Sequence, residues 1–208
     1  MSISASDNDT DHKLWKAMKG GSIAAFEQLY DRYFSLLFGY GLQFCADRTV
    51  IKDCLQDFFV DIYQRRDSLS DVKKVRQYLY VCFRHFVIRK TMHRHQLHES
   101  IGKNYSFQVH FSHEDQLIGE ELDAYRKKML KASFNKLTSR QKEAIFLRYY
   151  ENMSYTDIAE IMNMKETKYA RTLVYRSLLE LKEALKDHIL TLYTTLPFVH
   201  LLLKSSDR

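Results

Sequence analysis

The side chains best suited to chemistry in this sequence are basic and aromatic, and they gather near the C-terminal end. Lys165, Lys168, Tyr169, Arg171, Thr172, Tyr175 and Arg176 fall within a dozen positions. If this stretch is helical, Leu173 and Val174 turn inward, and Lys168, Tyr169, Arg171, Thr172, Tyr175 and Arg176 face out. Guanidinium, ammonium and hydroxyl groups donate to phosphates and base edges, and aromatic bodies pack between them. Such a set recognises a polyanion rather than breaking bonds. The sequence holds no P-loop, no HExxH pair, no Gly-rich dinucleotide turn and no nucleophile elbow, so neither an enzyme nor a small-molecule substrate is expected. His93, His95 and His98 lie in a basic stretch without a second ligand cluster. They are read as part of a basic tail, and neither a metal nor a cofactor is expected.

The elements that must hold those donors can be read just upstream. Ser154 can cap a short helix, 155–162, whose Ile158, Ala159 and Met162 face inward. The small Ala159 permits a close crossing, Asn163 and Met164 form the turn, and the donor-bearing helix follows over 167–188. This is a helix-turn-helix, which lays its second helix in the DNA major groove. A generic helical hairpin is the competing reading.

The rest of the chain is helical by pattern. Six glycines and a single proline, Pro197, leave few breakers among 208 residues. A short helix over 12–19 stops at Gly20–Gly21, and Ser22 then caps a long helix carrying Phe26, Leu29, Tyr30, Tyr33, Leu37, Tyr40 and Phe44 at three- and four-residue steps. A third helix spans 48–64. A fourth, 72–95, buries Val75, Tyr78, Leu79, Cys82, Phe83 and Phe86 before turning basic. Helical period fades over 96–123, apart from a turn near 116–122, and further helices are expected at 124–136 and 139–149. The fold class is therefore all-α: two small helical domains joined by a flexible acidic linker, the C-terminal one a helix-turn-helix. The domain bounds are 1–95, a linker at 96–123, 124–188, and a tail at 189–208.

Charge follows the same division. The formal net charge of +6 is unevenly spread: residues 65–98 carry +7 and 125–208 carry +7, whereas 1–64 carry −3 and 99–124 carry −5. Two basic blocks around an acidic spacer suit two separate contacts with a polyanion. Cys45, Cys54 and Cys82 show no paired spacing and are read as small buried residues of a reducing cytoplasm. The N-terminus is acidic and polar, unlike a signal peptide. The apolar stretch 189–203 is too short to span a bilayer, so the expected location is cytoplasmic.

The stretch LTSRQKEAIFLRYYENMSYTDIAEIMNMKETKYARTLVYRSLLELKEAL resembles the promoter-binding C-terminal region of extracytoplasmic-function sigma factors of bacterial RNA polymerase. FEQLYDRYFSLLFGYGLQFCADRTVIKDCLQDFFVDIYQRR resembles that family's Leu-Tyr-x-x-Tyr and Asp-x-x-Gln-x-x-Phe helices, and QYLYVCFRHFVIRKTMHRH its arginine-rich one. The resemblance covers about 26–95 and 134–186 in the family's order. Thr138 replaces the usual proline, Tyr78 a common tryptophan, His85 an asparagine and Arg89 an aspartate. The turn before the recognition helix is one residue longer.

The resemblance implies an alternative sigma factor that binds core RNA polymerase and directs promoter-specific initiation. It implies docking through Asp53, Gln56, Asp57 and Asp61. It assigns minus-ten recognition and melting to Tyr80, Arg84, His85, Arg89, Lys90 and Arg94, with Tyr80 equally readable as core. It assigns the duplex minus-thirty-five element to Arg140, Arg148, Lys165, Lys168, Tyr169, Arg171, Thr172, Tyr175 and Arg176. The implied partners are core polymerase, promoter DNA as duplex and melted strand, and an anti-sigma protein, commonly membrane-bound. The tail at 189–203 has no counterpart and is read as packed or partner-covered. The alternative is a stand-alone helix-turn-helix regulator, which would bind duplex DNA by itself.

Overall fold

A computed structural model describes residues 5–95, 105–109 and 120–185, with side chains from 9–91, 105–109 and 128–185. The described residues form eight α-helices and no strand: α1 Ala5–Lys19, α2 Ile23–Leu42, α3 Arg48–Gln64, α4 Val75–His95, α5 Glu120–Asn135, α6 Ser139–Ile145, α7 Tyr155–Ile161 and α8 Thr167–Leu185. The chain divides into two compact units, Met1–Ser106 with Glu160–Asn163, and Phe107–Ala159 with Met164–Arg208.

In the first unit α2 starts where Ser22 accepts from the Ala25 amide at 3.3 Å, and α3 starts where Asp47 accepts from Thr49 and Val50. Each cap satisfies amide donors that the first turn leaves without helical acceptors. Between α1 and α2 the chain reverses at Gly21, whose φ of 91° suits a residue without Cβ. The helix pattern supplies the core: Leu37, Tyr40, Ile51, Leu55, Phe58, Leu79 and Phe83 are almost wholly buried. Phe58 meets Phe83 and Phe86 edge-on, with ring centroids 5.3 and 5.7 Å away. Each such side chain contributes about 1.5–3 kcal/mol on removal from water. Gly41 permits this closeness, since a Cβ there would stand 2.7 Å from the Ile51 side chain.

Helix α1 is longer than the 12–19 expected. Its first half carries Asp9 and Asp11. One of them is used internally. Asp11 is 1% exposed, accepts from Arg32 at 2.6 Å and from the Tyr33 hydroxyl, and so ties α1 to α2. Burial and this carboxylate push the Tyr33 phenol far above its ordinary range. Trp15 donates its indole N–H to the Ser70 carbonyl at 3.0 Å, and a His12 ring nitrogen donates to the Val72 carbonyl at 2.9 Å. Engagement of 70–72 by α1 accounts for α4 beginning at Val75 rather than 72.

In the second unit Thr138 and Gln141 form a reciprocal capping box at the head of α6. Gln141 also donates to Glu180 at 2.8 Å, joining α6 to α8. Here the expected helix over 139–149 is not continuous: α6 ends at Ile145 and a single π turn, Phe146–Tyr150, follows. Helix α8 buries Ala170, Val174, Ser177, Leu178, Leu181 and Leu185. Part of the segment expected as linker is packed: Phe107 is wholly buried, its ring centroid 5.8 Å from Phe146, and its amide donates to Ser139. The extent of the last helix beyond Leu185, the turn at 116–119 and the tail 189–203 lie outside the described residues.

Candidate nucleic-acid interface

Helix α7 opens with a second capping box. Ser154 accepts from the Asp157 amide at 3.2 Å, while the Asp157 carboxylate accepts from the Ser154 amide and hydroxyl. Ile158, Ala159 and Met162 are buried as their spacing predicts. The turn then depends on Asn163, at φ 52°, with the Met164 amide donating to the Ala159 carbonyl at 2.7 Å. Asparagine adopts this left-handed conformation more readily than most side chains, which stops α7 and redirects the chain.

The redirected helix presents the expected face. Lys168, Tyr169, Arg171, Thr172, Tyr175 and Arg176 are all exposed, with Tyr169 at 48% and Tyr175 at 55%. Five of the expected residues converge: Arg140, Lys165, Tyr169, Thr172 and Arg176 line one open groove of about 330 Å³, together with Met164 and Leu173. Arg140 comes from the start of α6, the others from α8 and its preceding turn. Three cations around an apolar strip suit a sugar–phosphate backbone with base edges beside it.

Other residues of the set stand elsewhere. Lys168 pairs with Glu166 at 2.9 Å. Arg171 points its guanidinium at Tyr155, 5.5 Å from the ring centroid. Arg148, in the π turn, donates to the Met153 carbonyl at 2.9 Å and lies 4.8 Å from the same ring. Tyr155 escaped the sequence reading because Arg148, Tyr155 and Arg171 stand on three separate elements, and no spacing rule links them.

The first unit arranges its polar residues differently. Asp53, Gln56 and Asp57 are exposed along one stripe of α3, joined by Val60, which is 52% exposed and was not singled out from sequence. Asp61 forms an ion pair with Arg65 one turn on. Asp57 accepts from Lys90 of α4 at 2.8 Å, and this hydrogen bond raises the lysine pKa.

Two expectations for α4 are corrected. Tyr80 is 0% exposed, its ring centroid 5.1 Å from that of Tyr40, so it is a core residue with no free face for stacking. Arg84 is 7% exposed, its guanidinium 4.9 Å from the Tyr105 ring, so it is covered rather than offered to solvent. Their helical positions place them on the inner side of α4, whereas His85 and Arg89 are exposed. The side chain of Arg94 lies outside the described residues, as do those of His93, His95 and His98.

Of the cysteines, Cys54 is buried and Cys45 and Cys82 half-buried, all as free thiols. Burial pushes the Cys54 thiol up to about 12. Among the described residues no group of three potential ligands could hold a metal ion, and no helix is long and apolar enough to cross a membrane.

With this geometry established, similarity to known proteins is specific. Residues 127–181 match the family described as sigma-70, region 4. The chain is 27% identical over 163 residues to RNA polymerase sigma factor YlaC of Bacillus subtilis (strain 168), covering 76% of this chain and 91% of the relative. Its fold is similar to that in the structure of CnrH in complex with the cytosolic domain of CnrY, with a TM-score of 0.61 and 18% identity. That match covers 86% of this chain and 98% of CnrH. The segment that matches sigma-70 region 4 thus contains the helix-turn-helix with its exposed donor face, and over three quarters of its length the chain is similar to an RNA polymerase sigma factor.

Proposed function

We propose that this protein binds core RNA polymerase and directs it to particular promoters as an initiation factor without covalent chemistry of its own. In this reading residues 1–95 dock on the polymerase and melt the minus-ten element, 96–123 link, and 124–188 read the minus-thirty-five duplex. The 189–208 tail follows. The observation that carries it is the convergence of Arg140, Lys165, Tyr169, Thr172 and Arg176 on one groove of the recognition helix. Docking falls to Asp53, Gln56 and Asp57, an exposed acidic and amide stripe suited to a basic partner helix. The exposed Val60 on that stripe adds an apolar centre, and charge-depleted centres are characteristic of such interfaces.

Minus-ten contacts fall to His85, Arg89 and Lys90, with Arg94 further along the helix. Arg84 contributes only if Tyr105 moves aside. The structure of CnrH was solved with the cytosolic domain of CnrY bound, which supports a regulatory protein partner here too. We assign that partner as an anti-sigma protein, membrane-bound, covering the basic faces of both units. Core polymerase and promoter DNA complete the set.

Run-off transcription tests the reading. Purified core polymerase is supplied with the upstream region of the protein's own operon, with wild-type protein or with a Gln56→Ala/Asp57→Ala variant. Transcripts that depend on the wild type and fade with the variant support both the assignment and the docking stripe. Tight binding of duplex DNA by the free protein, with no binding to core polymerase, would instead favour a stand-alone regulator.

A further inference from the structure

The π turn after α6, the first residue of α7 and the second turn of α8 meet at one ring. Tyr155 is half-buried, with the Arg148 guanidinium carbon 4.8 Å and the Arg171 guanidinium carbon 5.5 Å from its centroid. Arg148 is further anchored on the Met153 carbonyl at 2.9 Å. In water each of these guanidinium groups has many rotamers available. An aromatic face attracts guanidinium through its quadrupole and removes part of that rotamer freedom. A π turn takes up an extra residue relative to α-helix, and it is this turn that carries Arg148.

The geometry points to Tyr155 as a positioning residue that holds Arg148 and Arg171 as a preorganised pair of cations for the phosphates of one DNA strand. The inference rests on the proposed reading of the minus-thirty-five duplex by this unit. Tyr155 itself needs no contact with DNA: its face fixes the two arginines before the encounter, and binding then costs less ordering of side chains. The groove at Arg140, Lys165 and Arg176 is a separate contact lined by neither Arg148, Tyr155 nor Arg171.

The test uses the full chain assembled with core polymerase and a fluorescent promoter duplex, with affinity measured across a salt series. Tyr155→Phe keeps the ring and is expected to bind like wild type. Tyr155→Leu is expected to lose roughly fivefold, the effect of about one exposed cation–π interaction expressed as affinity. Arg171→Met is expected to weaken binding in the wild-type background and to weaken it distinctly less in the Leu background, because the two changes act on one arrangement. If Tyr155→Leu does not fold, as judged by its melting curve, Tyr155→Gln takes its place.

Equal loss in the Phe and Leu variants would overturn the inference, since a hydroxyl contact would then be responsible. Additive effects of Tyr155→Leu and Arg171→Met would overturn it as well. Wild-type affinity in Tyr155→Leu, with Arg148→Met and Arg171→Met still weakened, would sink the platform and leave the promoter reading intact. If wild-type holoenzyme showed no affinity for the duplex, the promoter reading itself would fall and this inference with it.

Discussion

The two regions expected to meet DNA differ in how far the fold covers their polar side chains, although each keeps exposed cations, Arg89 on α4 among them. On α8 and its turn, Lys165, Arg171 and Arg176 stand exposed, and two of them share a groove with Arg140. On α4, Arg84 is covered by Tyr105, Lys90 is held by Asp57, and Tyr80 lies in the core. The contrast has a physical sense. A duplex presents a regular lattice of phosphates, which a fixed exposed face can match without rearrangement. A melted strand must first be unstacked, at a cost of a few kcal/mol, and capture has to follow that event. Groups already occupied by protein partners suit contacts made only after another step has released them.

The largest effect concerns the core side of this comparison. Tyr80→Ala should destabilise the first unit by about 3–5 kcal/mol, as expected for removal of a buried aromatic ring. Thermal unfolding measures it, and Tyr80→Phe should unfold near the wild-type temperature and still support transcription. A Phe variant that folds normally yet fails to open the promoter would break the contrast, because Tyr80 would then act on DNA.

Next comes the exposed side. Arg176→Ala should lower duplex affinity of the holoenzyme by roughly tenfold and reduce the slope of log K against log salt by about 0.9, as for one lost phosphate contact. Unchanged affinity with an unchanged slope would remove Arg176 from the interface.

A smaller effect separates scaffold from contact. Thr138→Ala removes the hydroxyl from the capping box and should cost about 1 kcal/mol in stability. The salt slope should stay as in wild type, since no cation is lost. Equilibrium urea unfolding together with the salt series checks both halves.

The smallest concerns the Lys90–Asp57 pair, whose members are about half exposed. A double-mutant cycle with Lys90→Met and Asp57→Asn should return a coupling below about 0.5 kcal/mol, weakened further by salt. Its pH dependence has a definite sign. Asp57 raises the folded-state pKa of Lys90 above the ordinary 10.5, so the coupling is fully present below that value and lost as pH rises through the folded pKa. A coupling that grew on going to alkaline pH would contradict the pairing.

Most of the helical architecture was legible beforehand. Helix α3 spans the expected 48–64, and Ser22 and Ser154 cap as expected. Of the inward set, Ile158, Ala159, Met162 and Val174 are buried, whereas Leu173 is half-buried and lines the groove. These features depend on periodicity and on local side-chain-to-backbone hydrogen bonds, both of which operate within a few residues. The outer face of α8 was legible for the same reason, because a helix with one apolar stripe dictates what lies opposite. Tyr80, which the sequence left readable either way, and Arg84, which it did not, turn inward for a common reason. Arginine and tyrosine each combine a polar tip with an apolar body, and composition alone does not say which end the fold uses.

By itself, then, the sequence determined most of the helices, the caps at Ser22 and Ser154, the turn at Asn163 and the type of ligand its basic face suits, since each follows from interactions between near neighbours in the chain. Only the tertiary structure decided that Tyr80 and Arg84 turn inward, that Asp11 joins α1 to α2 through Arg32 and Tyr33, and that Arg148 and Arg171 meet at Tyr155. Those outcomes depend on which helix faces are brought together across long separations in sequence, and the competition for buried space is settled only when the whole unit has packed.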